Sequence, residues 1–488
     1  MNVDHGLRSV VRDGGSAVVD AGLDAGVEPP VRLRDLELAS FLVDRRTYLG
    51  DAGPLLFVIS PGDLVARWRT RDGGWGMATG FEQADAGYRI PNVPEGETYV
   101  GVVGSRVLVT TSNVADLSLT LGGRVNADRA MANEVTEVDW FLDNTLPWEA
   151  EDRIVYASFE AAFAAESTYV PPVGSTSSGV RIPFERYLIP LAEGSKGDTA
   201  SLFQIRAVDV ADGGMRVRVA VAGGTVVSPD MVPGEASTVT VPFSTADSGA
   251  SFDLDFPDFI ATAQQDLPFT PTAVEPNLTV FSIPGYRRIG VVLTGWYGNL
   301  TAMSVVQTAT IRPDLPPQRV TLDWVDLFAE ENLATRVLAR LRVPLRGPTF
   351  NSSFELVSHR FSPLFKGVPV DVRGVMSAPR NLRLDGQPAV ARSGVGLTPT
   401  LSWTPPARGN AVVYDVRVWA FAPNAPPQAL AVFRTTQTRL TLPPGTLTAG
   451  TVYGLEVSAL AGSFEPLRPR YSPPDSMVSS SISELFLP

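Results

Sequence analysis

Leu447-Thr-Ala-Gly-Thr-Val-Tyr-Gly-Leu-Glu-Val-Ser-Ala459 decides the fold of this chain. A turn around Gly450 leads into a run in which Leu455 and Val457 alternate on one side, the period of a strand with one face in a core. Working outward, Tyr414-Asp-Val-Arg-Val418, Thr438-Arg-Leu-Thr-Leu442 and Leu401-Ser-Trp-Thr-Pro405 are further short runs of β-branched and aromatic residues cut by turn formers. The same texture continues upstream in Arg288–Thr294, Ser237–Phe243 and Val219–Val227. Parallel α/β repeats would need strands alternating with long helices, and these are absent. No steady repeat period argues for a propeller or solenoid. Two segments carry a helix-favouring pattern, Trp148–Glu166 and Leu327–Arg340, although each also contains strand-like alternation. The expected fold is all-β, with tandem β-sandwich modules around a larger β-rich middle.

Composition narrows function. The 488 residues carry 40 Lys+Arg against 52 Asp+Glu, a net charge of −12. Nucleic-acid binding needs a basic face to neutralise phosphates, so it is not expected. Lys196 and Lys366 are the only lysines; arginine supplies the remaining basic charge, a skew that follows a GC-rich genome. Cysteine is absent, which removes disulfides, thiolate nucleophiles and cysteine zinc sites together. His5 and His359 are the two histidines, too few for a multi-histidine metal centre. With 44% hydrophobic and 19% charged residues the chain folds, and no apolar run of about 18 residues predicts a membrane-spanning helix.

The C-terminal pattern resembles a fibronectin type III domain over residues 376–488. The resemblance rests on Pro379, Trp403, Tyr414 and the corner Leu447, Gly450 and Tyr453. It implies two packed antiparallel sheets, with the corner tyrosine's ring in the core and its hydroxyl returned to backbone. The long connection Ala461–Ser476 departs from the pattern. Residues 31–123 read as a small sandwich. Gly87–Val103, with Val93, Pro94, Gly96 and Tyr99, resembles the carboxypeptidase-regulatory-like or transthyretin-like modules, which implies a structural or adhesive unit. Residues 124–375 form a β-rich middle of one or two domains, with a Pro-rich loop at Ile311–Gln318. Residues 1–30 read as a disordered tether, since Gly14–Pro30 is small, acidic and Gly-rich. It resembles the Asp-Ala-Gly spacers of myxobacterial surface lipoproteins, although the lipid-bearing cysteine does not occur in this sequence.

Candidate sites follow from residue chemistry. Phe464, Arg468, Arg470 and Tyr471 crowd the long loop between prolines, and Arg and Tyr favour partner contacts; a stiff connector packed on another domain is the alternative. Trp296 and Tyr297, in a Gly-bounded turn, and Trp68 with Trp75 could stack on a sugar, against the usual place of tryptophan in a core. Asp253, Asp255 and Asp258 could offer oxygens to calcium, the one cofactor considered, or stand solvated on turns. Paired carboxylates, Asp139 with Asp143 and Asp323, Asp326, Glu330 and Glu331 around Trp324, keep a glycosidase open. His359 reads as structural, and Trp403 and Trp419 as residues of the core or its edge. No catalytic residue is assigned. The expected protein is a non-enzymatic, extracytoplasmic or cell-surface structural or adhesion protein. It would bind a protein or polysaccharide of the envelope or extracellular matrix through loops; the alternatives are a carbohydrate-binding protein and a glycoside hydrolase.

Overall fold

The computed structural model describes residues 31–39, 41–43, 55–56, 64–83, 87–102, 105–116, 119–120, 131–132, 136–143, 145–158, 163–167, 171–176, 178–184, 189–190, 192–231, 236–282, 297–298, 304–327, 333–468 and 475–488. The expected tether, residues 1–30, lies outside them. The protein is all-β, and one hydrogen-bonded sheet of 20 strands passes through its N-terminal, middle and C-terminal parts.

The C-terminal part is a fibronectin type III-like sandwich. Strands Arg380–Leu384, Thr400–Thr404 and Arg439–Thr441 form one sheet. Gln428–Thr435, Val413–Phe421, Val452–Gly462 and Ser476–Ile482 form the other. Period-two alternation sends Tyr414, Val416, Val418, Leu455 and Val457 into the core with Trp403. Trp403 and Tyr414 meet edge to face at 5.2 Å. Buried Tyr453 takes a 2.9 Å hydrogen bond from the Thr448 amide onto its hydroxyl, completing the corner.

The N-terminal part packs Leu33–Ala39 and Gly87–Pro94 over Val65–Arg69, Thr98–Val102 and Arg106–Thr110. Leu36, Tyr88, Ile90, Val93, Val100 and Leu108 fill the space between. The strand from Gly87 runs on through Pro94. Asn92 takes a positive φ and its amide is held by Asp35 Oδ1 at 3.1 Å, so the kink is absorbed within the strand.

The middle holds two cores on shared strands. Thr199–Val210 and Met215–Val227 pair over 12 positions. Leu202 and Ala222 face one core, with Trp140, Trp148 and Tyr156; Ile205, Val217 and Val219 face the other. The two cores lie on opposite faces of the strand, Ala200 and Leu202 on one side and Phe203 and Ile205 on the other, and the register shifts between Gln204 and Ile205. Neither segment with helix-favouring composition is helical in its described part: the first has a turn before strands Arg153–Ser158 and Phe163–Glu166, and the second enters strand Leu333–Leu345. Cross-strand burial outweighs local propensity there. The nine-residue helix is Phe256–Gln264, capped by the Asp255 carboxylate on the Asp258 amide at 3.1 Å. Gly374 lets this helix dock, since a Cβ there would lie 2.2 Å from Thr262 Oγ1.

Backbone ladders join the parts. Arg106–Thr110 adds in parallel to Gln428–Thr435, and Ser352–Pro363 pairs antiparallel with Ser476–Ile482.

Candidate functional site

The outer face of the C-terminal sheet, away from the sandwich core, is divided in two. At one end Phe421, Val452, Ile482 and Leu485 join the core of the middle strands. At the other end alternation places Asp415, Arg417 and Trp419 on one strand beside Glu456 and Ser458 on the next. The sheet then continues through Ser480 and Val478 to His359, Glu355 and Arg342. Between these walls lies a cavity of about 620 Å³, within the range of roughly 300–1,000 Å³ usual for small-ligand sites.

The walls are held by charge pairs. Arg434 grips Asp415 with two hydrogen bonds, 2.7 and 2.9 Å, both groups buried. Burial pushes the Asp415 carboxyl up, but Arg434, Arg417 and Arg106 outweigh it and hold it below the ordinary carboxylate range. Glu456 accepts from Arg417 at 3.3 Å and from the Trp419 indole N–H at 2.9 Å, which fixes the ring. Phe354 supports Trp419 edge to face at 5.1 Å. His359 is pushed down to about 4 by desolvation, with Arg336 and Arg417 adding to it, so its ring is neutral at physiological pH. Every carboxyl group among the described residues with a displaced pKa is displaced downward.

A second cavity, about 650 Å³, lies beside Glu151, Arg153, Glu166 and Arg218. Its groups form exposed ion pairs, Arg153 with Glu166 and Glu151 with Arg216, and no aromatic ring lines it. The first cavity is therefore the candidate site.

The expected site residues fall elsewhere. Phe464 stacks under the Arg434 guanidinium at 5.7 Å, and Arg468 pairs with Asp116 of the N-terminal part at 2.8 Å. The loop backbone joins in, with the Asp116 amide on the Leu467 carbonyl at 3.0 Å. These two residues thus bind within the chain; Arg470 and Tyr471 lie outside the described residues. Trp68 and Trp75 do not make one platform. Trp68 lies across from Gly76 and Trp75 from Arg69, so the two rings leave opposite faces of the hairpin. Trp68 packs on the N-terminal core, whereas Trp75 meets Tyr99 at 5.2 Å on the C-terminal side. A Cβ at Gly76 would sit 2.4 Å from the Trp68 indole, so glycine lets that ring lie flat. Trp296 lies outside the described residues, and Tyr297–Gly298 forms a short strand with Phe163–Ala164 in place of a turn.

Asp253, Asp255 and Asp258 are each engaged separately. Asp253 pairs with Arg319 at 2.6 Å, Asp255 caps the helix, and Asp258 holds Arg408 and the Gly374 amide, each at 3.0 Å. Among the described residues no group of three His, Asp or Glu is placed to hold a metal ion. Asp139 and Asp143 alternate with core residues Val138, Trp140 and Leu142 on one strand. Neither they nor Asp323 and Asp326 line the candidate cavity, and Glu330 and Glu331 lie outside the described residues. Trp419, unlike Trp403, sits opposite the C-terminal core and lines the cavity. The readable signal was polar alternation within central strands, Asp-Val-Arg-Val-Trp at 415–419 and Glu-Val-Ser at 456–458.

No family model matches the chain, and no curated protein matches it. Among solved structures, domains A168–A170 of titin align at 13% identity over 73% of this chain and 98% of that one, with a TM-score of 0.15. The FN1–FN3 domains of chicken CNTN1 align at 10% identity over 74% and 98%, TM-score 0.14. A tetra-tandem repeat from the extending region of a large adhesion protein aligns at 14% identity over 92% and 99%, TM-score 0.13. Scores this low do not superpose whole molecules, and the fold stands on its own strand pairing. Among the described residues no helix is long and apolar enough to cross a membrane.

Proposed function

We propose that this chain is a non-enzymatic structural or adhesion protein of the cell surface, which holds one binding cavity in a rigid β framework and engages a protein or polysaccharide of the envelope or matrix there. The observation that supports this is the sheet itself. It runs by main-chain hydrogen bonds from the N-terminal strands through the C-terminal sandwich into the middle, so the cavity walls belong to one ladder. A flexible string of modules would place such walls independently. The cavity chemistry, with downshifted Asp415 and neutral His359, suits holding more than hydrolysis. Protease treatment of intact cells tests the setting: digestion of the chain before lysis is expected. Full protection until the cells are opened, or hydrolysis of a polysaccharide panel by the purified chain, would reject the reading.

A further inference from the structure

We propose that the cavity between the C-terminal sheet and the middle strands is a subsite for a carboxylate-bearing saccharide, with Trp419 as the stacking surface and Arg342 as the anchor for the acid group. This names a ligand class for the surface-binding reading above and rests on it.

The first argument is charge. Asp415 is taken up by Arg434, and Glu456 by Arg417 and Trp419. Glu355 lies 3.8 Å from Arg340. Arg342 remains: its guanidinium is exposed, lines the cavity, and makes no hydrogen bond or ion pair with a described residue. The uncompensated charge on the wall is positive, so an anionic group completes it.

The second argument is shape and polarity. Trp419 is half-buried and its ring is pinned by Glu456 on one side and Phe354 on another. A rigid indole is a flat apolar surface at small entropic cost. The same cavity is lined by the exposed Ser353, by the neutral imidazole of His359, and by the Ser458 and Ser480 hydroxyls, which bond each other at 2.7 Å. These groups both donate and accept, as a polyhydroxylated ligand requires.

The third argument weighs a peptide strand. Peptides commonly bind sheets by adding to a free edge. The strands that carry Arg417, Trp419, Glu456 and Arg342 are paired on both sides along the cavity. Ser352–Pro363 meets Ser476–Ile482 only at Ser358–Phe361, so Ser353–Val357 keeps an open edge there, and an acidic peptide is the competing occupant that the test below includes.

Titration calorimetry of the full chain with tetragalacturonic acid, cellotetraose and an acidic tetrapeptide tests this. The uronate should bind at least tenfold tighter than the neutral sugar, and salt should weaken it. Arg342→Gln, at an exposed position, should erase that preference without lowering the melting temperature, and Trp419→Phe should weaken both sugars. Equal binding of the two sugars, a uronate affinity unchanged by Arg342→Gln, binding of the peptide as tight as the uronate, or no uronate binding at all would overturn the proposal. Each of those results leaves the protease test on intact cells standing, whereas protection of the chain in that test would reject the surface setting without touching the calorimetry.

Discussion

The C-terminal sandwich is joined on two sides, and the two joints are built differently. Toward the N-terminal part the sheet is extended edge to edge, with Val432, Phe433 and Arg434 in register with Arg106, Val107 and Leu108. One face of the added strands completes the C-terminal core through Tyr99 and Val109, and Tyr99 meets Phe433 at 6.4 Å. On the other face Leu108 enters the N-terminal core, and beside it the C-terminal sheet presents a polar patch where Asp415, Arg434 and the Phe464–Arg468 loop meet. Toward the middle the sheet continues through four residue pairs, and the outer face folds onto apolar strands. Arg408 ties this second joint from the side, reaching Asp258 at 3.0 Å and Thr262 at 2.8 Å. The first joint therefore sets a buried ion pair of the C-terminal sheet beside a shared apolar face, and the second rests on a shared apolar core. Buried pairs contribute little beyond their desolvation cost but are expensive to break, whereas apolar joints lose stability in proportion to the volume removed.

The largest effect should come from breaking the ion pair on one side only. Arg434→Ala leaves Asp415 charged and buried, and urea unfolding should show a loss of about 3–5 kcal/mol. Replacing both members, Asp415→Leu with Arg434→Met, should recover most of that loss. If the double replacement is as unstable as the single one, the polar joint is held by something other than the pair. Next comes the apolar joint. Ile482→Ala removes a fully buried side chain from the shared core, with an expected loss of about 2–5 kcal/mol. No second replacement should be able to compensate in the way the ion pair allows.

The sequence makes the C-terminal sandwich legible because its core is specified locally. Trp403, Tyr414, Leu447 and Tyr453 sit at the spacings of the fibronectin type III pattern and meet in one core. The joints are not legible, because a strand edge carries its information in backbone groups that look alike in every sequence. Nothing in Arg106–Thr110 marks it as the neighbour of Gln428–Thr435, more than 300 residues away. The helix Phe256–Gln264 was obscured for another reason: Ser251–Asp258 alternates like a strand up to Leu254, and the cap begins at Asp255. The cavity is half legible. Asp415, Arg417 and Glu456 announce an outward polar face, yet only the pairing of Ser358–Phe361 with Ser476–Ser479 brings His359 and Arg342 across from them. The Phe464–Arg468 loop shows the converse. Its residues have interface chemistry, and the described ones spend it within the chain, Phe464 on Arg434 of the same sandwich and Arg468 on Asp116 of the N-terminal part.

That loop gives the finest test of the comparison. Arg468 bridges to Asp116 at 2.8 Å, with both side chains about one-third exposed. Pairs so placed contribute about 0.2–1 kcal/mol. Arg468→Ala should therefore leave the urea midpoint nearly unmoved, yet loosen the polar joint locally. The readout is hydrogen exchange at the Val432 amide, which bonds the Ser105 carbonyl at 2.8 Å, and it should quicken by about two- to fivefold. The Leu485 amide, held by the Arg346 carbonyl at the apolar joint, should not change. Equal acceleration at both amides would mean that the two joints open together and that the C-terminal sandwich has no independent polar latch. Acceleration at Val432 alone would separate them, with the loop acting as the fastening of one joint only.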